Sequence, residues 1–150
     1  MGLLDKLRQT KKRGNEISIS NNPDLIQVFD KSGSPIYLTK DSWRANVLPG
    51  MLHSRWDSPD ELYAVIVGTL QDGFPADVAQ AAEHLCRIDA NRSRAVCTWA
   101  SVLLAMKRVD EAEQTLRSHV ERYGEEGYVI TNRAKVHAAR NENDRAETTL

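Results

Sequence analysis

The sequence predicts a mainly α fold: an α-solenoid of helical hairpins preceded by a small N-terminal ββα unit. Three observations predict it. The chain resembles itself at an offset of about 34 residues, the length of one helix–turn–helix repeat. Helix start signals return at the same offset. Ahead of the repeats, two short runs of strand-forming residues flank a glycine-containing turn.

The repeat is read by laying Ser93–Leu116 over Gly127–Leu150. This superimposes Ala100 on Ala134, Val102 on Val136 and Ala105 on Ala139, then Asp110 on Asp144, Ala112 on Ala146, Glu113 on Glu147, Thr115 on Thr149 and Leu116 on Leu150. A lone helix pair cannot bury its apolar face, so copies of such a unit stack and leave an extended groove along one side.

Taken in order, residues 1–22 form a basic lead. Lys6, Arg8, Lys11, Lys12 and Arg13 stand against Asp5 and Glu16, and a polar stretch follows from Ser18 to Asn22. Leu3, Leu4 and Leu7 give at most one or two amphipathic turns, enough for weak, salt-sensitive attraction to an anionic membrane. A frayed terminus is the plainer reading.

Residues 23–57 form the ββα unit. Leu25-Ile26-Gln27-Val28-Phe29 reads as a strand, Asp30–Ser34 as a turn with Gly33 suited to positive φ, and Ile36-Tyr37-Leu38 as the returning strand. Thr39 is placed to cap a helix from Lys40, with Asp41 in its first turn and Trp43 and Val47 on one face. Pro49-Gly50 marks its expected end. A two-stranded hairpin is barely stable by itself. Trp43, Met51, Leu52 and Trp56 are therefore expected to fix the unit to the first helix of the array, either as a cap or with a hairpin edge left for strand addition.

Residues 58–150 carry the repeats: 59–92, 93–126 and 127–150. Ser58-Pro59-Asp60-Glu61 combines a cap, a first-position proline and a capping-box glutamate. The helix it opens has Leu62, Val65, Ile66, Thr69 and Leu70 at helical spacing and ends at Asp72-Gly73, where glycine suits the left-handed cap. Val78, Ala82 and Leu85 line the returning helix. Asp110-Glu111-Ala112-Glu113 and Asp144-Arg145-Ala146-Glu147 repeat one start signal, with a capping Asp three residues before a Glu. The third unit breaks off inside its second helix.

Across residues 59–150 the chain resembles the tetratricopeptide repeat (TPR) family. That family has small residues at the eighth and twentieth positions of each unit, where its two helices approach. Ala100 and Ala112 stand there in the second unit, and Ala134 and Ala146 in the third. The first unit departs from the pattern with Ile66 and Val78, and Val96 and Ile130 stand where an indole is usual. The resemblance implies a right-handed superhelix whose concave face is lined by the first helix of each pair and holds extended peptides or helices of other proteins. By register that groove presents Tyr63, Ala64 and Val67, then Arg94, Cys97, Thr98 and Ser101, then Tyr128, Thr131, Asn132 and Lys135. The carboxylate clamp of some family members is missing, because only Asn132 falls in one of its slots. Arg94 and Lys135 favour an acidic peptide.

Composition excludes other classes. A net charge of −1, with the basic excess confined to the first 22 residues, gives no footprint for nucleic acid. No apolar run reaches the length of a signal peptide or a membrane span, which points to a cytoplasmic protein. Cys86 and Cys97 stand in helical pattern without metal-ligand spacing, and read as buried reduced thiols. No nucleophile elbow, P-loop or HExxH occurs, and His84 and Cys86, two apart on a helix, point in different directions. His119 and His137 fall at inter-helix packing positions, and Glu125-Glu126 and Glu142 at turns. No catalysis and no cofactor are therefore expected. The expected partner is an unidentified protein or peptide. The alternative is a self-assembling module, since a third unit that stops early leaves Val129, Ile130, Val136 and Leu150 without a capping helix. Either the chain is a piece of a longer array or a second copy covers that face.

Overall fold

The computed structural model describes residues 24–148, with side chains described as far as Glu142. The basic lead, Leu150, and the side chains of Asp144, Ala146 and Glu147 lie outside the described residues. The chain divides into two compact units, one up to Met51 and one from Leu52. Helices dominate, with one two-stranded antiparallel sheet in the first unit.

In the first unit β1 (Leu25–Phe29) pairs with β2 (Pro35–Thr39), Leu25 opposite Thr39 and Val28 opposite Ile36. Asp30 closes the turn. Its carboxylate accepts the Ser32 and Ser34 amides at 2.9 Å each, while Gly33 takes φ +84°, a conformation open to glycine at no steric cost. Thr39 caps α1 (Lys40–Asn46) by accepting the Ser42 amide at 3.2 Å, as its sequence position predicts. The helix packs against both strands, and Trp43 is buried. It ends three residues short of Pro49, however. Pro49 instead lies in the first turn of α2 (Leu48–Ser54), where its missing N–H would have had no helical acceptor.

The second unit holds α3 (Pro59–Gln71), a 3₁₀ turn at Pro75–Val78, α4 (Ala79–Ile88), α5 (Arg92–Ala105), α6 (Val109–Tyr123) and α7 (Gly127–Thr148). Ser58 stands at the N-cap of α3 with Pro59 just inside, but its hydroxyl makes no capping bond, so the expected capping box is not formed. Gly73 takes φ +93° behind α3, as predicted. The helices pack in sequence. Helix α3 lies on α4 and α5, α4 on α5, α5 on α6 and α7, and α6 on α7. Helices α3 and α5 therefore each meet the first helix of the next unit as well as their own partner.

Two apolar clusters meet at α5. Leu62, Ile66, Val78, Ala82 and Leu85 form one with Ala95 and Val102 of α5. Val96, Ala100 and Leu103 of α5 form the other with Ala112, Leu116, Val129 and Val136. Trp56 stacks on His84 at a 4.3 Å centroid distance, and the Trp56 carbonyl lies 3.1 Å from Nε2 of that histidine. Of the predicted packing histidines, His119 is buried and His137 is exposed.

Two expectations for the third unit and one for the second are corrected. The turn predicted before Asp144 is absent, and α7 runs unbroken through Thr148. In the second unit the turn is closed at Lys107 (φ +65°) by the Arg108 amide bonding to Leu103 O at 2.9 Å. No proline or glycine from Asn141 to Asp144 interrupts the helical hydrogen bonds, so local chemistry allows the helix to continue. Asp110 does not cap α6. The cap position is Arg108, and Asp110 accepts a hydrogen bond from Arg140 at 2.7 Å. Lastly, Val129 and Val136, expected to lie bare, are 0% and 1% exposed; Ile130 alone of the three is exposed.

The close approach of α5 and α6 depends on small side chains. Ala112→Leu, at a site with 0% exposure, is expected to destabilise the protein by about 1–3 kcal/mol through overpacking. Ala105→Leu, on the exposed end of α5, is expected to change stability by less than about 0.5 kcal/mol. Urea unfolding midpoints of the two variants check the contrast.

Candidate functional site: a cleft across three helices

The first helices α3, α5 and α7 each bury one face and turn a second face outward. On α5 the cleft-lining residues are Arg94, Cys97 and Ser101 with the buried Thr98. On α3 they are Tyr63, Val67 and Leu70, and on α7 Tyr128, Asn132 and Lys135. Each set follows helical spacing of three, four and seven residues, so each forms one stripe. The three stripes line a single cleft of about 630 Å³.

Of the groove residues expected from the sequence, Tyr63, Val67, Arg94, Cys97, Thr98, Ser101, Tyr128, Asn132 and Lys135 are brought together here. Thr131 is not. It is exposed and donates to Gly127 O at 3.1 Å. Ala64 is also exposed and does not line the cleft. The structure adds Leu70, Gln71, Asn91, Ser93 and Glu126. Leu70 and Gln71 prolong the α3 stripe and were within reach of the pattern. Ser93 and Glu126 meet through a hydrogen bond across 33 residues of sequence, which no local signal announces.

Arg94 proves to be a structural cation. Its Nε donates to Asp89 Oδ2 at 2.8 Å, and its Nη2 reaches Asp89 Oδ1 at 3.0 Å and Asp60 Oδ1 at 2.8 Å. The guanidinium also lies 4.9 Å from the centre of the Tyr63 ring. Hydrogen bonds to Asp89 and Asp60 raise its pKa further above its ordinary value. Burial disfavours the charged form of Asp89, but the bonds from Arg94 and from the Asn91 amide (3.0 Å) outweigh it and hold the carboxyl below its usual range. Asn91 completes the knot by capping α5, accepting the Arg94 amide at 3.1 Å. The expectation that Arg94 is free to attract an acidic peptide is thereby corrected.

Between α5 and α7 the cleft floor is a small polar relay. The single Ser101 hydroxyl proton goes to Cys97 O at 2.8 Å, with Asn132 Oδ1 a longer second acceptor at 3.4 Å, and Asn132 Nδ2 donates to Tyr128 O at 2.8 Å. Cys97 is half-buried, and desolvation raises its pKa. Glu126 adds to that rise, while Lys135 and a hydrogen bond with Asn132 oppose it. Cys86 stands on an exposed residue rather than the buried one expected. Its thiol donates to Ala95 O at 3.5 Å and is pushed up to about 11, by desolvation first and then by Glu83 and Asp89. Both thiols therefore stay protonated at neutral pH, the opposite of an activated nucleophile. Lys135 has no ion-pair partner among the described residues. No group of three or more metal-ligating side chains occurs among the described residues, and none of the described helices is long and apolar enough to cross a membrane.

Fold and site together define a mainly helical protein with an open cleft of mixed polarity across three successive first helices. No protein-family model matches the sequence, and no curated protein and no solved structure matches it significantly.

The Asp89–Arg94 pair generates a pH prediction. Because the folded-state pKa of Asp89 is lowered, its stabilisation is complete above the unfolded-state value near about 4 and is lost as pH falls through the folded value. Asp89→Asn is expected to cost about 2–3 kcal/mol at pH 7 by leaving Arg94 with the exposed Asp60 alone. It is also expected to flatten the acid limb of a stability–pH curve, measured by urea unfolding from pH 7 to pH 3.

Proposed function

We propose that this chain is a non-catalytic protein–protein interaction scaffold, a TPR-like array whose three first helices hold a segment of a partner protein. The single observation that carries the reading is the cleft. Three helices, each about 34 residues from the next, turn equivalent stripes toward one concavity whose lining mixes aromatic, aliphatic and hydrogen-bonding groups. The packing of each first helix on the next supports a stacked array.

The cleft offers an anchor of the kind that dominates interfaces. Tyr128 is 77% exposed at its rim, and exposed tyrosines contribute large contact area at low entropic cost. Lys135 takes over the attraction for an acidic group that the sequence had divided between it and Arg94. Self-assembly through the third unit finds less support, because Val129 and Val136 are already covered by the protein's own core.

Affinity capture tests this proposal with Tyr128→Ala combined with Lys135→Glu, two substitutions at exposed positions outside the core. A partner held by wild type and by the α6 control Glu121→Ala is expected to fall about tenfold or more in the double variant. Equal capture by all three proteins, with unchanged circular dichroism, would sink the groove as the working surface.

A further inference from the structure

With Arg94 bonded to Asp89 and Asp60, the other two charged residues that line the cleft are Glu126, just before α7, and Lys135 two and a half turns further along. Glu126 gives one carboxylate oxygen to Ser93; its other oxygen has no partner among the described residues. Both charges reach the same interior point, because the Cys97 thiol is acted on by Lys135 in one direction and by Glu126 in the other. At the helical rise of 1.5 Å per residue, the backbone positions of Glu126 and Lys135 lie about 13 Å apart along the direction of α7.

Two magnitudes decide what shape of ligand bridges those charges. A fully extended strand advances about 3.3 Å per residue, so about 13 Å corresponds to four residues. A strand in packed sheets occupies roughly 4.8 by 10 Å in cross-section, or about 160 Å³ per residue. The cleft of about 630 Å³ therefore holds about four extended residues, the same number reached from its length.

We propose, as a refinement that rests on the scaffold reading above, that the cleft takes an extended peptide bearing a cationic group at Glu126 and a carboxylate four residues away at Lys135. In an extended chain residues i, i+2 and i+4 share one face. The two charged groups and the side chain midway between them all point to the floor, the middle one toward Val67 and Cys97 as an apolar group. Residues i+1 and i+3 face away and are free to vary. The cation is supplied by a Lys or Arg side chain or by a terminal ammonium.

Fluorescence anisotropy with labelled five-residue peptides tests the proposal. The probe is an N-acetylated, C-amidated peptide with Lys first, leucine third and Glu fifth. It is expected to bind about threefold more tightly than its Gln-first version and about threefold more tightly than its Gln-fifth version, the scale of partly exposed ion pairs. Glu126→Gln should abolish only the first difference and Lys135→Gln only the second. A peptide with Lys and Glu three residues apart puts the charges on opposite faces and should lose both; a helical ligand would keep them. A free N-terminus replacing the lysine distinguishes a terminal ammonium from a side chain. Binding that ignores charge and spacing would overturn this inference and leave the scaffold reading standing. Failure of every peptide to bind folded wild type at millimolar concentration would likewise overturn this inference, while the capture experiment decides the scaffold reading separately.

Discussion

One guanidinium organises the face that carries the cleft. Arg94 joins the first turn of α3 through Asp60, the end of α4 through Asp89 and the ring of Tyr63, while its own amide is held by the cap of α5. The contacts are unequal. The Asp60 side chain is 89% exposed, where an ion pair contributes about 1 kcal/mol at most. The Asp89 side chain is 3% exposed, and a buried carboxylate without its cation is among the most destabilising defects a small domain can carry. Asp89 therefore fixes Arg94 across the turn from α4 to α5, while the links from Arg94 to α3 through Asp60 and Tyr63 are the weaker ones. By consuming its own charge, the same contact makes Glu126 and Lys135 the groups that define the cleft's polarity.

Packing supplies the second constraint. Helix α5 is the shared wall of both apolar clusters, with Ala95 and Val102 facing one and Val96, Ala100 and Leu103 the other. A helix buried on two sides has only a narrow remaining strip for polar residues, and that strip is the cleft stripe from Arg94 to Ser101. The alanines at Ala100 and Ala112 let α6 approach closely, so the second side is covered within the same hairpin. The geometry of the site thus follows from core economy in the neighbouring elements, with no dedicated binding loop.

Local chemistry made most of the fold legible in the sequence. The Thr39 cap, the Gly33 turn, the Pro59 start and the Gly73 stop are each decided within a few residues, and each stands where it was expected. The register implied by the tetratricopeptide resemblance named nine of the residues that line the cleft, and spacing of three, four and seven then places each helix's share on one stripe. What escaped depended on partners distant in sequence. Arg94 looks like a free cation until Asp60, 34 residues earlier, is placed beside it, and Glu126 looks like a turn carboxylate until Ser93 arrives. Pro49 and Asp144 misled for a different reason: a residue that suits a helix boundary is also tolerated within a first turn or an uninterrupted helix, and local chemistry does not choose between the two.

The central claim is that the three first helices act as one partner-binding surface. Site-specific photocrosslinking tests it most directly, with benzoylphenylalanine placed either at Tyr128, on the cleft, or at Phe29, the exposed aromatic of β1. In lysate, a discrete partner adduct at position 128 that is lost with Lys135→Glu, and no matching adduct at position 29, is the result this account requires. An adduct formed at position 29 alone would contradict it and place recognition on the hairpin.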